Sequence, residues 1–149
     1  MAAVSCLFWN IRKLALRERV AQLAAQHDAR LVILAECDIN PTAIISAFSS
    51  AGLDGFVLPY SPAVDTDIRV FLRLPGCDLQ PVQDDPNNHV SIRRMVFDGM
   101  GDILLVVVHL QSKLRSSEDD QQIFAIRLAQ KIAECEADLT TAGQWSSGT

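Results

Sequence analysis

Aromatic side chains are scarce in this chain, at 6% of residues, so its core has to be filled mainly by aliphatic groups. Basic residues are a minority too: 13 Lys and Arg stand against 18 Asp and Glu, for a formal charge of -5. That balance argues against a protein that passively coats nucleic acid, because such a surface works by displacing counterions from many phosphates. It leaves room for a hydrolase of phosphate esters, since a bound divalent cation reverses the sign of the local field. No Gly-rich phosphate loop is present. Cys6, Cys37, Cys77 and Cys135 form no CxxC pair and have no histidine at zinc-finger spacing. They read as small buried thiols in a reducing compartment rather than as a disulfide scaffold. No apolar run is long enough to cross a bilayer, and Met1-Ala2-Ala3-Val4 lacks the basic start of a signal peptide. A soluble, cytoplasmic chain is the expectation.

What the chain does have is one domain's worth of length, 149 residues, nearly half of them hydrophobic. Three short apolar runs each end on a polar residue: Val4 to Asn10, Leu31 to Glu36, and Ile103 to His109. Their length and their content of Val, Ile, Leu and aromatics predict buried strands. Between the first two, Leu14 to His27 places Leu16, Val20, Leu23 and Ala24 on one helical face. Strand, helix and strand with short links form a right-handed βαβ unit, which sends Asn10 and Glu36 out of the same edge of a parallel pair.

Asn40 and Pro41 predict the cap and first turn of a second helix, with Ile44, Ile45 and Phe48 as its apolar positions. Gly55 to Pro59 and Ile68 to Leu72 read as strands, and Leu74 to Asn88, with three prolines, reads as a loop. Asp98-Gly99 predicts a hairpin between Val90–Phe97 and Ile103–Val108. A helix over Glu118 to Glu136 aligns Phe124, Leu128, Ile132 and Cys135. Residues 138–149 offer little to bury and read as a disordered polar tail. Leu31 to Leu34 and Ile103 to Val108 are apolar on both faces, so each strand should be covered on both sides. Helices on both faces of one sheet would do this, and so would two packed sheets flanked by helices.

An acidic group directly after four apolar residues is costly unless it is paired or reaches solvent. Glu36 therefore reads either as a solvated strand-end carboxylate or as a ligand for a hard cation, which takes oxygen donors. Asn10 reads as a helix cap or as an amide that orients a ligand. His109 reads as an ordinary strand-exit histidine, a phosphate contact, or an acid or base. Arg69, Arg93 and Arg94 are surface arginines or candidates for phosphate. Asp65 and Asp67 read as loop solvation.

Taken in order, these segments resemble the endonuclease/exonuclease/phosphatase family, which includes DNase I-like nucleases and inositol-lipid phosphatases. Phe8-Trp9-Asn10-Ile11-Arg12 is similar to its opening strand with the site asparagine, and Asp28 through Glu36 to the strand that delivers the metal-binding glutamate. Val106-Val107-Val108-His109-Leu110-Gln111-Ser112 is similar to its histidine motif, and Arg127-Leu128-Ala129-Gln130 to an Arg-x-x-Gln pattern that follows it. The resemblance implies a four-layer α/β/β/α sandwich with mixed sheets over residues 1–137. It implies Mg2+ or Mn2+ held by Glu36 and Asn10, with Asn10 and His109 as catalytic groups and a phosphoester, including nucleic acid, as substrate. The family's later Gly-Asp-x-Asn motif, its further aspartate and its Ser-Asp-His are absent from the chain. The expectation is thus a partial fold, truncated before the C-terminal strands, and a metal-dependent phosphoesterase that is weak or inactive. The alternative is a non-catalytic binding or dimerisation module that self-associates through an exposed sheet edge.

Overall fold

The computed structural model describes residues 3–59, 68–85, 90–99, 101–110 and 117–146. The elements run β1 (Cys6–Asn10), α1 (Arg17–Gln26), β2 (Leu31–Ala35), α2 (Pro41–Ser50), β3 (Ile68–Leu72), β4 (Cys77–Asp85), β5 (Val90–Phe97), β6 (Ile103–Val108) and α3 (Glu118–Ser146). They make two three-stranded sheets, ordered β1-β2-β3 and β4-β5-β6. β1 and β2 are parallel neighbours, as the βαβ reading requires, with Asn10 opposite Ala35. β3 returns antiparallel to β2, and β4, β5 and β6 form an antiparallel meander.

Three apolar clusters define the layers. Val20, Ala21 and Ala24 of α1 and Ile44 and Phe48 of α2 meet Val32, Leu34 and Phe71 on one face of the first sheet. The other face presents Leu31, Ile33, Ile68, Val70 and Leu72 to Leu79, Met95 and Val107 of the second sheet. The far face of that sheet sets Val90 and Ile92 against Cys135, Phe124 and Leu128 of α3. Helices, sheet, sheet and helix are the four layers anticipated above. β2 is buried along its whole length because it is central in its sheet and covered on both faces.

Local signals explain several elements. The Asn40 side chain accepts from the Thr42 N–H at 2.9 Å and Pro41 occupies the first turn of α2, so that helix starts where its cap dictates. Gly99 takes a positive φ of 74° in the β5–β6 connection, and Arg94 clasps Asp102 across it. Asp28, also left-handed at φ 46°, accepts from Arg73 Nη2 at 2.6 Å. This bond, with Arg30 nearby, holds the Asp28 carboxyl below its ordinary range.

The structure corrects five local expectations. Leu74 to Asn88 is not all loop: β4 occupies Cys77–Asp85. It is an edge strand, and Pro81 is tolerated where the register shifts between Pro81 and Gln83. Gly55 to Pro59 is no strand; only Val57 bridges to Leu72, because the flanking turn swings Phe56 into the core. α3 continues through Ser146, well past Glu136 and into the segment read as a disordered tail. No proline interrupts it, and Thr140 Oγ1 donates back to the Glu136 carbonyl at 3.0 Å. β6 is not covered on both faces along its length: Ile103 is 49% exposed, as befits a strand with one described neighbour. Cys6 is exposed, since β1 is likewise an edge, whereas Cys37 and Cys135 are buried as expected. Asp65, Asp67, Gln111, Ser112 and residues 147–149 lie outside the described residues. No described helix is long and apolar enough to cross a membrane.

Candidate active site

Asn10, Glu36 and His109 converge. The β1–β2 register places Asn10 beside the last residue of β2, one position before Glu36. β6 belongs to the other sheet, and the packing of Val107 against Leu31 and Ile33 brings its exit to the same rim. Asn10 Nδ2 lies 3.3 Å from Glu36 Oε1 and 3.0 Å from His109 Nε2. His109 Nε2 lies 3.2 Å from the same Glu36 oxygen. The Glu36 and His109 side chains are 30% and 19% exposed, so solvent and a ligand can reach both.

Hydrogen-bond chemistry assigns each atom a part. With the imidazole hydrogen on Nδ1, Nε2 accepts from Asn10 Nδ2, which also faces Glu36 Oε1. With a hydrogen on Nε2, the imidazole donates to Glu36 instead. Asn10 Oδ1 is turned the other way and accepts from the Arg12 N–H at 3.0 Å. Asn10 thus caps the turn after β1, while α1 starts at Arg17 behind Leu16, which makes no side-chain cap bond. The amide face of Asn10 is what meets the other two residues.

The backbone around these side chains is unusual. Arg12, Lys13 and Glu36 have φ of 51°, 60° and 50°, left-handed values that cost a non-glycine residue about 1 kcal/mol each. Main-chain bonds hold the strain: Ile11 N–H donates to Ala35 O at 3.1 Å and Lys13 N–H to Glu36 O at 2.8 Å. The turn after β1 is therefore tied to the residue that ends β2. Cys37, next in sequence, is buried, and burial raises its thiol, so it packs rather than reacts.

The other sequence candidates fall elsewhere. Arg93 is 2% exposed between the sheets and donates from Nε to Ser91 Oγ, which removes it as a surface phosphate contact. Arg94 is engaged with Asp102. Arg69 is half-buried on β3. The sequence reading missed the left-handed Arg12-Lys13 pair; its one signal was two cations placed immediately after Asn10-Ile11.

The family resemblance of the sequence implies a divalent cation. Among the described residues, no three His, Cys, Asp or Glu side chains gather into a metal-binding group. The Glu36 carboxylate suits magnesium, which prefers oxygen and keeps most of its ligands as water and substrate phosphate, whereas Asn10 turns its Nδ2 and not its oxygen toward that position.

Two sheets back to back, helices outside and polar residues at the strand exits define a partial DNase I-like α/β fold. The endonuclease domain of TRAS1, a telomere-specific non-LTR retrotransposon, superposes with a TM-score of 0.53 at 13% identity, over 87% of this chain and 54% of that one. TDP2 from Caenorhabditis elegans superposes with a TM-score of 0.53 at 20% identity, over 89% of this chain and 45% of its own. The chain thus spans about half the length of each. At such identities the likeness establishes the fold. No family model and no curated protein matches the chain.

Proposed function

We propose that the chain carries the Glu36–Asn10–His109 part of a magnesium- or manganese-dependent phosphodiesterase site that acts on nucleic acid. The observation that carries this reading is the meeting of three side chains from three strand ends, in two sheets, within 3.3 Å. The fold it shares with an endonuclease domain supports it. Glu36 would hold the cation, and Asn10, whose oxygen is engaged by the Arg12 N–H, would act through its Nδ2 as the donor that orients the Glu36 carboxylate. A bound cation supplies Lewis-acid polarisation of a phosphoryl oxygen and stabilises its developing charge. His109 places an imidazole nitrogen where it can donate to a phosphate oxygen or exchange a proton with Glu36. With Glu36 the one carboxylate at the centre among the described residues, turnover of the isolated chain is expected to fall below the ordinary enzyme range of about 1–1000 per second.

Cleavage of a labelled oligonucleotide under magnesium titration tests this. The rate should rise with magnesium, persist with manganese and vanish in excess EDTA. Cleavage that is indifferent to chelator would reject it.

A second reading, a non-catalytic module that pairs with a second copy, is favoured by the edge strands themselves. Phe8 on β1 is 50% exposed and Ile103 on β6 is 49% exposed, and open apolar edges recruit other strands. Sedimentation velocity should then show a concentration-dependent dimer that dissociates in Phe8→Glu. A monomer at all concentrations sinks that reading.

A further inference from the structure

Away from the candidate site, positive φ among the described residues falls on Gly52, Gly55, Gly76 and Gly99 and on Asp28, whose carboxylate is engaged by Arg73. At the candidate site the left-handed positions are instead filled by Arg12 and Lys13, at φ 51° and 60°. Glycine would take that geometry without strain. Both side chains are exposed, in a chain whose net charge is -5. The turn is also not free to drift. Its two N–H groups are bonded to Asn10 Oδ1 and to the Glu36 carbonyl, so its position is set by the site residues themselves. A strained cationic turn, pinned to a site and kept where glycine would be easier, calls for a role for the cations.

We propose that Arg12 and Lys13 grip a backbone phosphate of a nucleic-acid strand, next to the phosphate held at Glu36 and His109. This rests on the nucleic-acid reading above and deepens it: the site takes a polyanionic strand rather than an ester with one phosphate. Arginine matches a phosphate with a planar fork of donors, and lysine adds a mobile point charge. Both stand one turn from the site, on backbone that cannot slide, so they fix the strand's register while leaving bases unread. Arg17, the next cation along the chain, is engaged with Glu18.

Fluorescence anisotropy with a short labelled single-stranded oligonucleotide, in EDTA so that nothing is cleaved, tests the pair. Arg12→Ala/Lys13→Gly should weaken binding about tenfold at low salt and flatten the slope of log affinity against log salt by about 0.7, the contribution of one neutralised single-strand phosphate. Lys13→Gly alone should weaken binding and yet raise Tm by about 2 °C, because the left-handed strain is relieved. Arg12→Lys/Lys13→Arg should restore the slope. A higher Tm with unchanged affinity and slope would mean that the cations only balance Glu36, and would overturn the proposal. So would intact oligonucleotide binding with lost binding to vesicles of anionic lipid, which assigns the turn to a membrane surface. If the parent chain fails to bind the oligonucleotide at all, the nucleic-acid reading fails with it.

Discussion

Replacing Glu36 by glutamine is expected to lower magnesium-dependent cleavage about 100-fold or more while leaving the fold intact. The substitution keeps the size and planarity of the side chain, so Asn10 Nδ2 can still donate to its oxygen, now across the present 3.3 Å to an amide carbonyl. What it removes is the negative charge that Glu36 brings to the rim. A hard cation gains little from a neutral amide, and no second carboxylate stands beside Glu36 among the described residues to compensate. Binding of Mn2+, followed by paramagnetic resonance, should fall in parallel with cleavage. Asn10→Ala should cost less, about 10- to 100-fold, as is usual for a group that orients a ligand. Since Glu36 is partly exposed at a strand end, its replacement should change the urea midpoint little. Unchanged cleavage and Mn2+ binding in Glu36→Gln, with a normal midpoint, would remove Glu36 from the metal role.

These residues were conspicuous in the sequence because each interrupts an apolar run, and burying a polar group there demands a reason. Parallel pairing of β1 and β2 followed from the short helical crossover, which fixes handedness locally. Asn40, Pro41 and the Asp98-Gly99 turn were legible for the same reason: their geometry is set within a few residues. That His109 meets Glu36 is another matter. It depends on two sheets packing face to face across a long separation in sequence, which no periodicity encodes; three polar strand ends suggested a shared site, and the resemblance gave each residue its role. β4 escaped notice because edge strands need not alternate strongly and can accept Pro81 at a bulge. The length of α3 was underestimated because its hydrophobic spacing fades after Cys135 and Thr140, Thr141 and Gly143 are poor helix formers, yet no proline stops the helix before Ser146. The left-handed turn at Arg12-Lys13 was hidden because neither residue type announces positive φ.

Phe48→Ala is expected to destabilise the protein by about 3–5 kcal/mol, a large part of the roughly 5–15 kcal/mol available to a domain. Phe48 is fully buried, stacked on Phe56 with ring centroids 4.2 Å apart and meeting Phe71 edge-on at 5.7 Å. Aromatics are few here, and these three join α2, the turn after it and β3 into one contact. Truncation would forfeit the buried area, open a cavity and uncouple both ring pairs. Phe48→Leu keeps most of the volume and should cost less, about 1–2 kcal/mol. Urea denaturation by circular dichroism measures both, and a loss below about 1 kcal/mol in Phe48→Ala would mean that α2 does not pack on the sheet as described. The effect should also reach the site. α2 begins at Pro41, with its cap at Asn40, and Cys37 between Glu36 and that cap is buried in the same cluster as Phe48. The left-handed backbone of Glu36 is held from one side by Lys13 and from the other by this packed segment. Loosening α2 should therefore let Glu36 relax toward ordinary φ, and activity per folded molecule should drop in Phe48→Ala but hold in Phe48→Leu.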